Sequence, residues 1–251
     1  MAITIKNKEQ IEKMRYAGKV LSEALHNLKK MIKPGINCLE LDKSFIDFIT
    51  SKGCTSNFKG YYDYPAHICV SINEQLIHGI PKDRILKNGD IVSIDAGCIY
   101  EGYHSDSAFT VICGDSSNEK ISKLVDLTER SLYLAIEHVR AGVRIGTISA
   151  TVQNFIEDNG FHLPTSYSGH GIGLEMHEDP FIPNVGIKNT GMRLVPGMTI
   201  CIEPMVQVGT NKTIVDDDKW TVLSKDGSMT AHFEHTVLVT EDDPEVLTLF
   251  K

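Results

Sequence analysis

The sequence predicts an α+β fold of two pseudo-symmetric halves, each made of two helices followed by strands. Residues 34–53 align without gaps on residues 141–160, and the apolar positions of both segments recur at helical spacing. Further along, residues 86–95 and 194–203 share a glycine turn, an apolar strand and a terminal carboxylate. These two repeats imply two copies of one helix-helix-strands unit.

The two copies follow each other without an obvious linker. No Pro- or Ser-rich stretch and no low-complexity segment lies between them. We therefore predict one domain over residues 1–251, with halves at about 1–113 and 114–251. A functional site at the junction of the halves is expected.

The aligned segments predict the helices of each half. Both copies stop at a glycine, Gly53 or Gly160, a residue that commonly ends a helix. The same register continues upstream, pairing apolar positions of residues 14–32 with those of residues 121–139. Each half therefore opens with a long amphipathic helix and continues with a second one.

The predicted strands bring carboxylates together. Asp95 and Glu203 end the two repeated strands, and residues 91–112 read as a β-hairpin about a Tyr100-Glu101-Gly102 turn. A turn centred between residues 100 and 101 places Asp95 opposite Asp106, with Cβ atoms about 5 Å apart. Two such anions repel, and a divalent cation between them would resolve the conflict. A protonated aspartate, or a register shifted by one or two residues, are the alternatives.

A fourth carboxylate and two histidines complete this candidate site. In residues 231–240, Glu234 shares a face with His232 and Thr236, opposite the buried apolar face. The glycine-rich run 168–180 carries His170 and His177. Four carboxylates with one or two imidazoles predict a hard site for two first-row metals. Such ions lie about 4 Å apart and can activate a bridging water.

Composition narrows the classes of function. The formal net charge is −8 with no basic block, so a nucleic-acid partner is not expected. The polar start and the lack of a membrane-length apolar run predict a cytoplasmic location and no membrane. Six cysteines without a CxxC pair indicate neither a zinc ribbon nor a disulfide framework. Without an exposed apolar heptad, a monomer is expected.

Six sequence blocks resemble those of the type I methionine aminopeptidases, members of the pita-bread metallopeptidases. The blocks are HGIP (78–81), SIDAG (93–97), YHSDSA (103–108), GHGIGLEMHEDP (169–180), IEP (202–204) and FEHT (233–236). The resemblance covers essentially the whole chain, in the family's order. It implies a pita-bread fold, in which two βααβ-like halves surround a curved antiparallel sheet and the active site lies between them.

The resemblance also implies roles for the candidate ligands. It assigns two divalent metal ions, for which Co, Mn, Fe, Ni and Zn are all suitable, to Asp95, Asp106, His170, Glu203 and Glu234. Asp106 and Glu234 would bridge the two ions. Asp95 would complete one site, and His170 with Glu203 the other.

The implied reaction is removal of the N-terminal methionine from nascent polypeptides, in solution or at the ribosome, with a preference for a small second residue. A metal-activated water attacks the first peptide bond. His177 stabilises the resulting oxyanion, His78 contacts the substrate near the scissile amide, and Glu203 passes a proton to the leaving amine.

A methionine side chain needs an apolar, deformable pocket. The resemblance gives its walls as Phe58, Tyr61, Tyr64, Cys69, Met176 and Trp220, with His78 and His177 beside the substrate. An aromatic turn at residues 60–65 and simple packing of Trp220 are the alternative interpretations. Met176 and Phe58 depart from residues common in the family, which leaves the shape of the pocket open.

Two other functions stay open at this point. A prolidase or aminopeptidase P would share the sheet and the ligands, but those relatives have a sizeable extra N-terminal domain. A non-catalytic peptide-binding relative would be expected to have lost ligands, whereas all five are present. The short bacterial form of the aminopeptidase is therefore the expectation.

Overall fold

In the computed structural model, which describes residues 3–115 and 117–250, four α-helices and fourteen short or long strands form the fold. The helices are α1 (Lys8–Met31), α2 (Cys38–Ser51), α3 (Glu119–Ile136) and α4 (Ile145–Asp158). The strands of the first half are β1 (Thr55–Ser56), β2 (Ile68–Ile72), β3 (Gln75–Ile77), β4 (Ile91–Tyr100) and β5 (Tyr103–Ile112). Those of the second half are β6 (Ser168–Gly171), β7 (Glu178–Pro183), β8 (Thr199–Ile202), β9 (Met205–Gln207), β10 (Thr213–Val215), β11 (Val222–Ser224), β12 (Thr230–His232), β13 (Glu234–Leu238) and β14 (Glu245–Val246).

All four predicted helices are confirmed. Helix α1 begins in a capping box, in which Asn7 accepts from the Gln10 backbone and the Gln10 side chain accepts from the Asn7 backbone. Helices α2 and α4 are followed at equivalent points by Gly53 and Gly160, whose φ angles are 76° and 78°. These left-handed conformations are the ones that glycine adopts without strain.

One antiparallel sheet joins the two halves. Its strand order is β1-β4-β5-β13-β8-β6-β7, with β2 also paired to β4 and β14 to β13. Within this sheet the halves meet where β5 pairs with β13, through only two residue pairs, Ala108 with Glu234 and Ser107 with His235. A separate three-stranded sheet, β10-β11-β3, also joins the halves. The strand order β2-β4-β5 on one side mirrors β6-β8-β13 on the other, as the sequence repeat predicts.

Two apolar cores lie between the helices and the sheet. Side chains of α1 and α2, such as Leu21 and Phe45, pack with Ile94 of β4. Side chains of α3 and α4 pack with those of β8, including Ile200. Phe109 on β5 packs against both cores. Because strand residues alternate between faces, the carboxylates of these strands lie on the opposite face of the sheet.

The hairpin register differs from the predicted one by two residues. Asp95 pairs with Ala108, and Asp106 pairs with Gly97, so the prediction that the two aspartates face each other directly is wrong. The loop consists of Glu101 and Gly102, both at positive φ, as in a tight two-residue hairpin turn. A shift of two residues keeps the same face, so the aspartates remain diagonal neighbours.

The structure also describes the cysteines and the lengths and apolar character of the helices. All six cysteines are buried thiols without a disulfide. Within residues 3–115 and 117–250, no helix combines the length and the apolar character that a bilayer span requires.

Candidate active site

A cavity of about 150 Å³ opens on the face of the sheet that the helices leave free. The structure brings all thirteen sequence-predicted site residues to its walls: Phe58, Tyr61, Tyr64, Cys69, His78, Asp95, Asp106, His170, Met176, His177, Glu203, Trp220 and Glu234. They come from both halves of the chain, as expected for a site at the junction. Their individual roles stay predictions.

Four carboxylates, of which three are buried and Glu203 is slightly exposed, form the floor of this cavity. Asp95 lies on β4, Asp106 on β5 and Glu234 at the start of β13, while Glu203 directly follows β8. One ligating oxygen from each of Asp95, Asp106 and Glu234 lies within 4.8 Å of the others. We expected Glu234 on the face of residues 231–240 opposite the buried apolar face, but Glu234 is also buried, at 2% exposed.

Threonine hydroxyls close both ends of the short β5–β13 ladder. The Thr110 hydroxyl accepts from the His232 backbone N–H at 2.9 Å and donates to the His232 carbonyl at 2.6 Å. At the other end, the Thr236 hydroxyl accepts from the Asp106 N–H at 3.1 Å and donates to the Asp106 carbonyl at 2.7 Å. The backbones that carry the carboxylates at the seam are therefore fixed from both sides.

Burial and mutual repulsion disfavour the charged forms of these carboxylates. Burial raises the pKa of Asp95 to about 6. Burial, and then the neighbouring negative charges, raise the pKa values of Asp106, Glu203 and Glu234 well above their usual range. A cluster of this kind is costly unless a cation compensates it.

The hydrogen bonding of the cluster fits a divalent cation. Among the described residues, Asp95 Oδ1, Asp106 Oδ1 and Glu234 Oε1 are buried and accept no hydrogen bond. Buried oxygens are normally satisfied, so three together in one cluster call for a ligand. Carboxylate oxygens with one imidazole are donors that suit first-row divalent metals.

His170 presents a free nitrogen to the carboxylates. Its Nδ1 donates to the Gly171 carbonyl at 2.9 Å, which can only accept, so Nδ1 carries a proton. Burial lowers the pKa of His170 to about 3, so the ring is neutral and Nε2 has a lone pair. This Nε2 lies 3.6 Å from Glu203 Oε1 and 4.0 Å from Glu234 Oε1. The arrangement is typical of a metal-ligating histidine with its second nitrogen held by a carbonyl.

The two other predicted histidines lie beside the cluster. The His177 and His170 rings are 4.3 Å apart between centroids, and His177 Nδ1 is 2.8 Å from the Tyr61 hydroxyl. His78 has a φ of 58°, a conformation that is rare for residues other than glycine and often found at functional sites. Burial lowers the pKa of His78 to about 4.

The predicted pocket residues form an apolar cluster next to the carboxylates. Phe58, Tyr64, Cys69 and Met176 are buried together, and Trp220 packs against them. The Tyr64 hydroxyl donates to the backbone carbonyls of residues 68 and 79. The Tyr64 ring lies edge-on to the Trp220 ring, with centroids 5.0 Å apart. Cys69 pairs with Asp95 in the β2–β4 ladder, so the apolar pocket adjoins the carboxylates directly.

The sequence reasoning missed a buried ion pair beneath His177. Lys6 Nζ lies 2.7 Å from Glu178 Oε2, and Glu178 Oε1 accepts from the Leu174 N–H at 2.8 Å. These contacts tie the N-terminal segment to the loop that carries Met176 and His177. The partners are far apart in sequence, and neither belongs to a repeated pattern, so no sequence signal could have paired them.

A second missed residue is His232, which is 1% exposed. Its Nε2 lies 3.5 Å from Glu203 Oε2. The available sequence signal was its spacing of two residues from Glu234, which places both side chains on one strand face.

Comparisons with known proteins agree with this geometry. Residues 12–241 match the sequence profile of metallopeptidase family M24. The methionine aminopeptidase of Mycoplasma capricolum is 61% identical over 246 residues, which are 98% of either chain. The crystal structure of methionine aminopeptidase from Thermotoga maritima superimposes with a TM-score of 0.97 at 42% identity, covering 98% of this chain and 99% of that one.

A prolidase shares the fold but is a longer protein. The prolidase from Pyrococcus furiosus superimposes with a TM-score of 0.78 at 25% identity, covering 98% of this chain but only 66% of the prolidase. The expected pita-bread fold is confirmed by these matches. The chain belongs to metallopeptidase family M24 and, within it, to the methionine aminopeptidases.

Proposed function

We propose that this chain removes the N-terminal methionine from nascent polypeptides with the help of two divalent metal ions. One observation carries the proposal: a cluster of four carboxylates, three of which have a buried oxygen without a partner, lies directly beside an apolar pocket. A cation site next to a pocket for an uncharged side chain is what an exopeptidase for methionine requires. The relatives named methionine aminopeptidase support the same activity.

The donor set divides between two ions. Glu234 belongs to each group of candidate ligands, and Asp106 lies beside it with Asp95. Asp106 and Glu234 would serve as ligands of both ions, Asp95 as a further ligand of one, and His170 with Glu203 as further ligands of the other. When bound, the ions supply Lewis acidity, which polarises the scissile carbonyl and lowers the pKa of the attacking water. Co, Mn, Fe, Ni and Zn all suit these ligands, and supply in the cell selects among them.

The chain's own residues hold and move protons around the scissile bond. Glu203, whose buried carboxyl has a raised pKa, takes a proton from the attacking water and delivers it to the leaving amine. His177 donates from Nε2 to the carbonyl oxygen as negative charge develops there. Tyr61 donates to His177 Nδ1 and so keeps the proton on Nε2. His78 contacts the substrate near the amide nitrogen.

The substrate methionine lies in the apolar pocket, with its free α-amine toward the carboxylates. The pocket combines rigid aromatic walls with the thioether of Met176, which suits a flexible sulfur-containing side chain. The preference for a small second residue is part of the proposal, on the sequence resemblance to the family.

We also propose that the chain is a single domain that works as a cytoplasmic monomer, on nascent chains in solution or at the ribosome. Six buried thiols without a disulfide are typical of proteins from reducing compartments. The lack of an apolar heptad in the sequence supports the monomer.

The test is release of free methionine from Met-Ala-Ser and from a Met-Lys peptide. Metal-free protein is assayed alone and after addition of Co²⁺ or Mn²⁺, next to the isosteric variant Asp106→Asn. We expect metal-dependent cleavage of Met-Ala-Ser only, and its loss in the variant.

Two results would contradict the proposal. Peptide binding without cleavage under every metal would indicate a binding protein with the same fold. Cleavage of Xaa-Pro dipeptides in place of Met-Ala-Ser would indicate a prolidase-like activity.

A further inference from the structure

His232 is a buried polar residue that faces the carboxylate cluster and has no part in the proposed reaction so far. It is 1% exposed and lies on β12, where it pairs with Met205 of β9. The Thr110 hydroxyl bonds both its N–H and its carbonyl. The backbone of His232 is thus fixed on two sides, which restricts where the ring can lie.

The His232 ring faces one oxygen of Glu203. Its Nε2 lies 3.5 Å from Glu203 Oε2, and neither ring nitrogen has a hydrogen-bond partner among the described residues. The other Glu203 oxygen, Oε1, faces His170 Nε2 at 3.6 Å. Glu203 therefore lies between two imidazoles, of which one, His170, is already committed to the candidate metal site.

A buried ring nitrogen without a partner is uncommon in folded proteins. An Nε2–H beside a carboxylate oxygen is a natural donor, and bonds at such sites are often long before the site is loaded and shorten afterwards. A donor on Oε2 would leave Oε1 as the oxygen that faces His170.

We propose that His232 is a positioning residue that donates from Nε2 to Glu203 Oε2 and so orients Glu203 for metal binding and proton transfer. The inference rests on the proposed function for the role of Glu203. It predicts that His232 acts through this carboxylate and not on the substrate. Hydrogen bonds to ligating carboxylates are a common way to tune a metal site.

A competing role for His232 is direct ligation. Its ring nitrogen, one Glu203 oxygen and one Glu234 oxygen lie within 4.8 Å of one another, as the ligands of a cation can. The experiment therefore has to separate a donor to Glu203 from a ligand.

The test compares His232→Gln, which keeps an N–H donor of similar reach, with His232→Leu, which has none. His138→Leu is the matched control, because His138 lies after α3, outside the cavity. Calorimetric titration of Co²⁺ into metal-free protein gives the affinities, and the visible spectrum of the Co²⁺ form reports its ligands. Steady-state release of methionine from Met-Ala-Ser separates kcat from KM.

We expect His232→Leu to bind Co²⁺ about 10- to 100-fold more weakly, with kcat lowered at saturating metal and KM little changed. His232→Gln should recover most of the affinity, and its Co²⁺ spectrum should match that of the unmodified protein. His138→Leu should behave as the unmodified protein in every measurement. If His232→Leu does not fold, His232→Asn, whose amide is too short to reach Glu203, replaces it with the same expectation.

Either of two results would overturn the proposal. Unchanged Co²⁺ affinity and kcat in His232→Leu would make His232 a packing residue. A Co²⁺ spectrum that changes in His232→Gln, as on loss of a nitrogen ligand, would make it a metal ligand. Both readouts of Co²⁺ binding are independent of peptidase activity, so a failure of the proposed function would appear separately, as unmodified protein that releases no methionine.

Discussion

At the scale of single residues, we propose that the contact between Tyr61 and His177 sets the proton position on the proposed oxyanion donor, with the Tyr61 hydroxyl as the hydrogen-bond donor. Their hydroxyl and Nδ1 atoms are 2.8 Å apart, and the rings are 5.5 Å apart between centroids. A neutral imidazole carries a single proton, so a hydroxyl that donates to Nδ1 leaves Nε2 as the donor. In this arrangement Tyr61 fixes the tautomer of His177 in addition to lining the pocket.

Replacing Tyr61 by phenylalanine tests this arrangement. Tyr61→Phe keeps the ring and removes the donor, so a fraction of His177 holds its proton on the wrong nitrogen. We expect kcat to fall by about tenfold, with KM changed much less. Tyr62→Phe is the matched control, because Tyr62 is the adjacent residue and is 79% exposed. Equal kinetics for both variants would show that the Tyr61 hydroxyl does not orient His177.

The sequence predicted all thirteen cavity residues, eight of which lie within the six sequence blocks, and the reason is physical. The chemistry restricts both residue type and local spacing at these positions, for example in the glycine-flanked His170. The ion pair of Lys6 with Glu178 and the approach of His232 to Glu203 depend on tertiary packing instead. Neither pair is close in sequence, so spacing carries no information about them.

At the scale of secondary-structure elements, the hairpin shows what strand alternation can and cannot determine. Within one strand, side chains two residues apart lie on the same face, and a two-residue turn keeps this relation across the hairpin wherever it is centred. Alternation therefore correctly placed Asp95 and Asp106 on one face. The pairing itself depends on which residues adopt the turn. Glu101 takes a positive φ with Gly102, so the loop is centred one residue later than predicted and every pair shifts by two.

Two different strands pair with the same edge of β13, and the change occurs at Thr236. Strand β5 pairs with β13 before this residue, and β14 of the C-terminal segment pairs with β13 after it. The Leu247 N–H donates to the Thr236 carbonyl at 2.9 Å. The Thr248 hydroxyl accepts from the Thr236 N–H at 3.2 Å and lies 2.8 Å from His235 Nδ1. The Thr236 backbone thus bonds to the C-terminal segment, while its side chain holds Asp106.

We expect Thr248→Val to lower the free energy of unfolding by about 2 kcal/mol, because it leaves the buried Thr236 N–H without its partner and removes the nearer of two hydroxyls beside His235 Nδ1. The change is nearly isosteric, so packing is retained. Urea unfolding followed by circular dichroism measures the effect. Thr248→Ser keeps the hydroxyl and should lose much less. A loss in Thr248→Val no larger than that in Thr248→Ser would show that the hydrogen bonds of the hydroxyl do not provide this stability.

The loop before β11 gives a prediction about pH. Asp218 accepts from the Trp220 N–H, from the Thr221 N–H and hydroxyl, and from Lys82. Although partial burial favours its protonated form, these hydrogen bonds hold the pKa of Asp218 well below its usual range. Its stabilising contribution is therefore complete above the unfolded-state pKa of about 3.9 and is lost as pH falls through the folded-state pKa.

Trp220 is the only tryptophan of the chain, so its fluorescence reports on this loop. We expect Asp218→Ala to shift the Trp220 emission at pH 7, and the unmodified protein to show such a shift only below about pH 4. Far-UV circular dichroism on the same samples distinguishes a local change from global acid unfolding. Asp217→Ala, at an exposed neighbouring carboxylate, should leave the emission unchanged. An unshifted emission in Asp218→Ala would contradict this role of Asp218.

At the scale of the whole molecule, the proposed ligands add a connection between two halves whose largest apolar cores are separate and whose smaller apolar clusters are shared. The first half provides Asp95 and Asp106, and the second provides His170, Glu203 and Glu234. Only two backbone pairs and the threonine contacts join β5 to β13, with Phe109 packed against both cores. Bound cations would therefore act as a cross-link between the halves, in addition to any role in catalysis.

Metal binding should stabilise the whole chain as one cooperative unit. A ligand that binds only the folded state at about 100 times its Kd adds about 2.7 kcal/mol. For a chain of this size, that corresponds to a rise in Tm of about 5–10 °C. Scanning calorimetry of metal-free protein with and without Mn²⁺ measures it, and Asp106→Asn, which lacks a proposed bridging carboxylate, should show little of the rise. If metal-free protein melts in two transitions and Mn²⁺ moves only one of them, the ligands of one half suffice for binding, and the single-domain proposal fails with the cross-link.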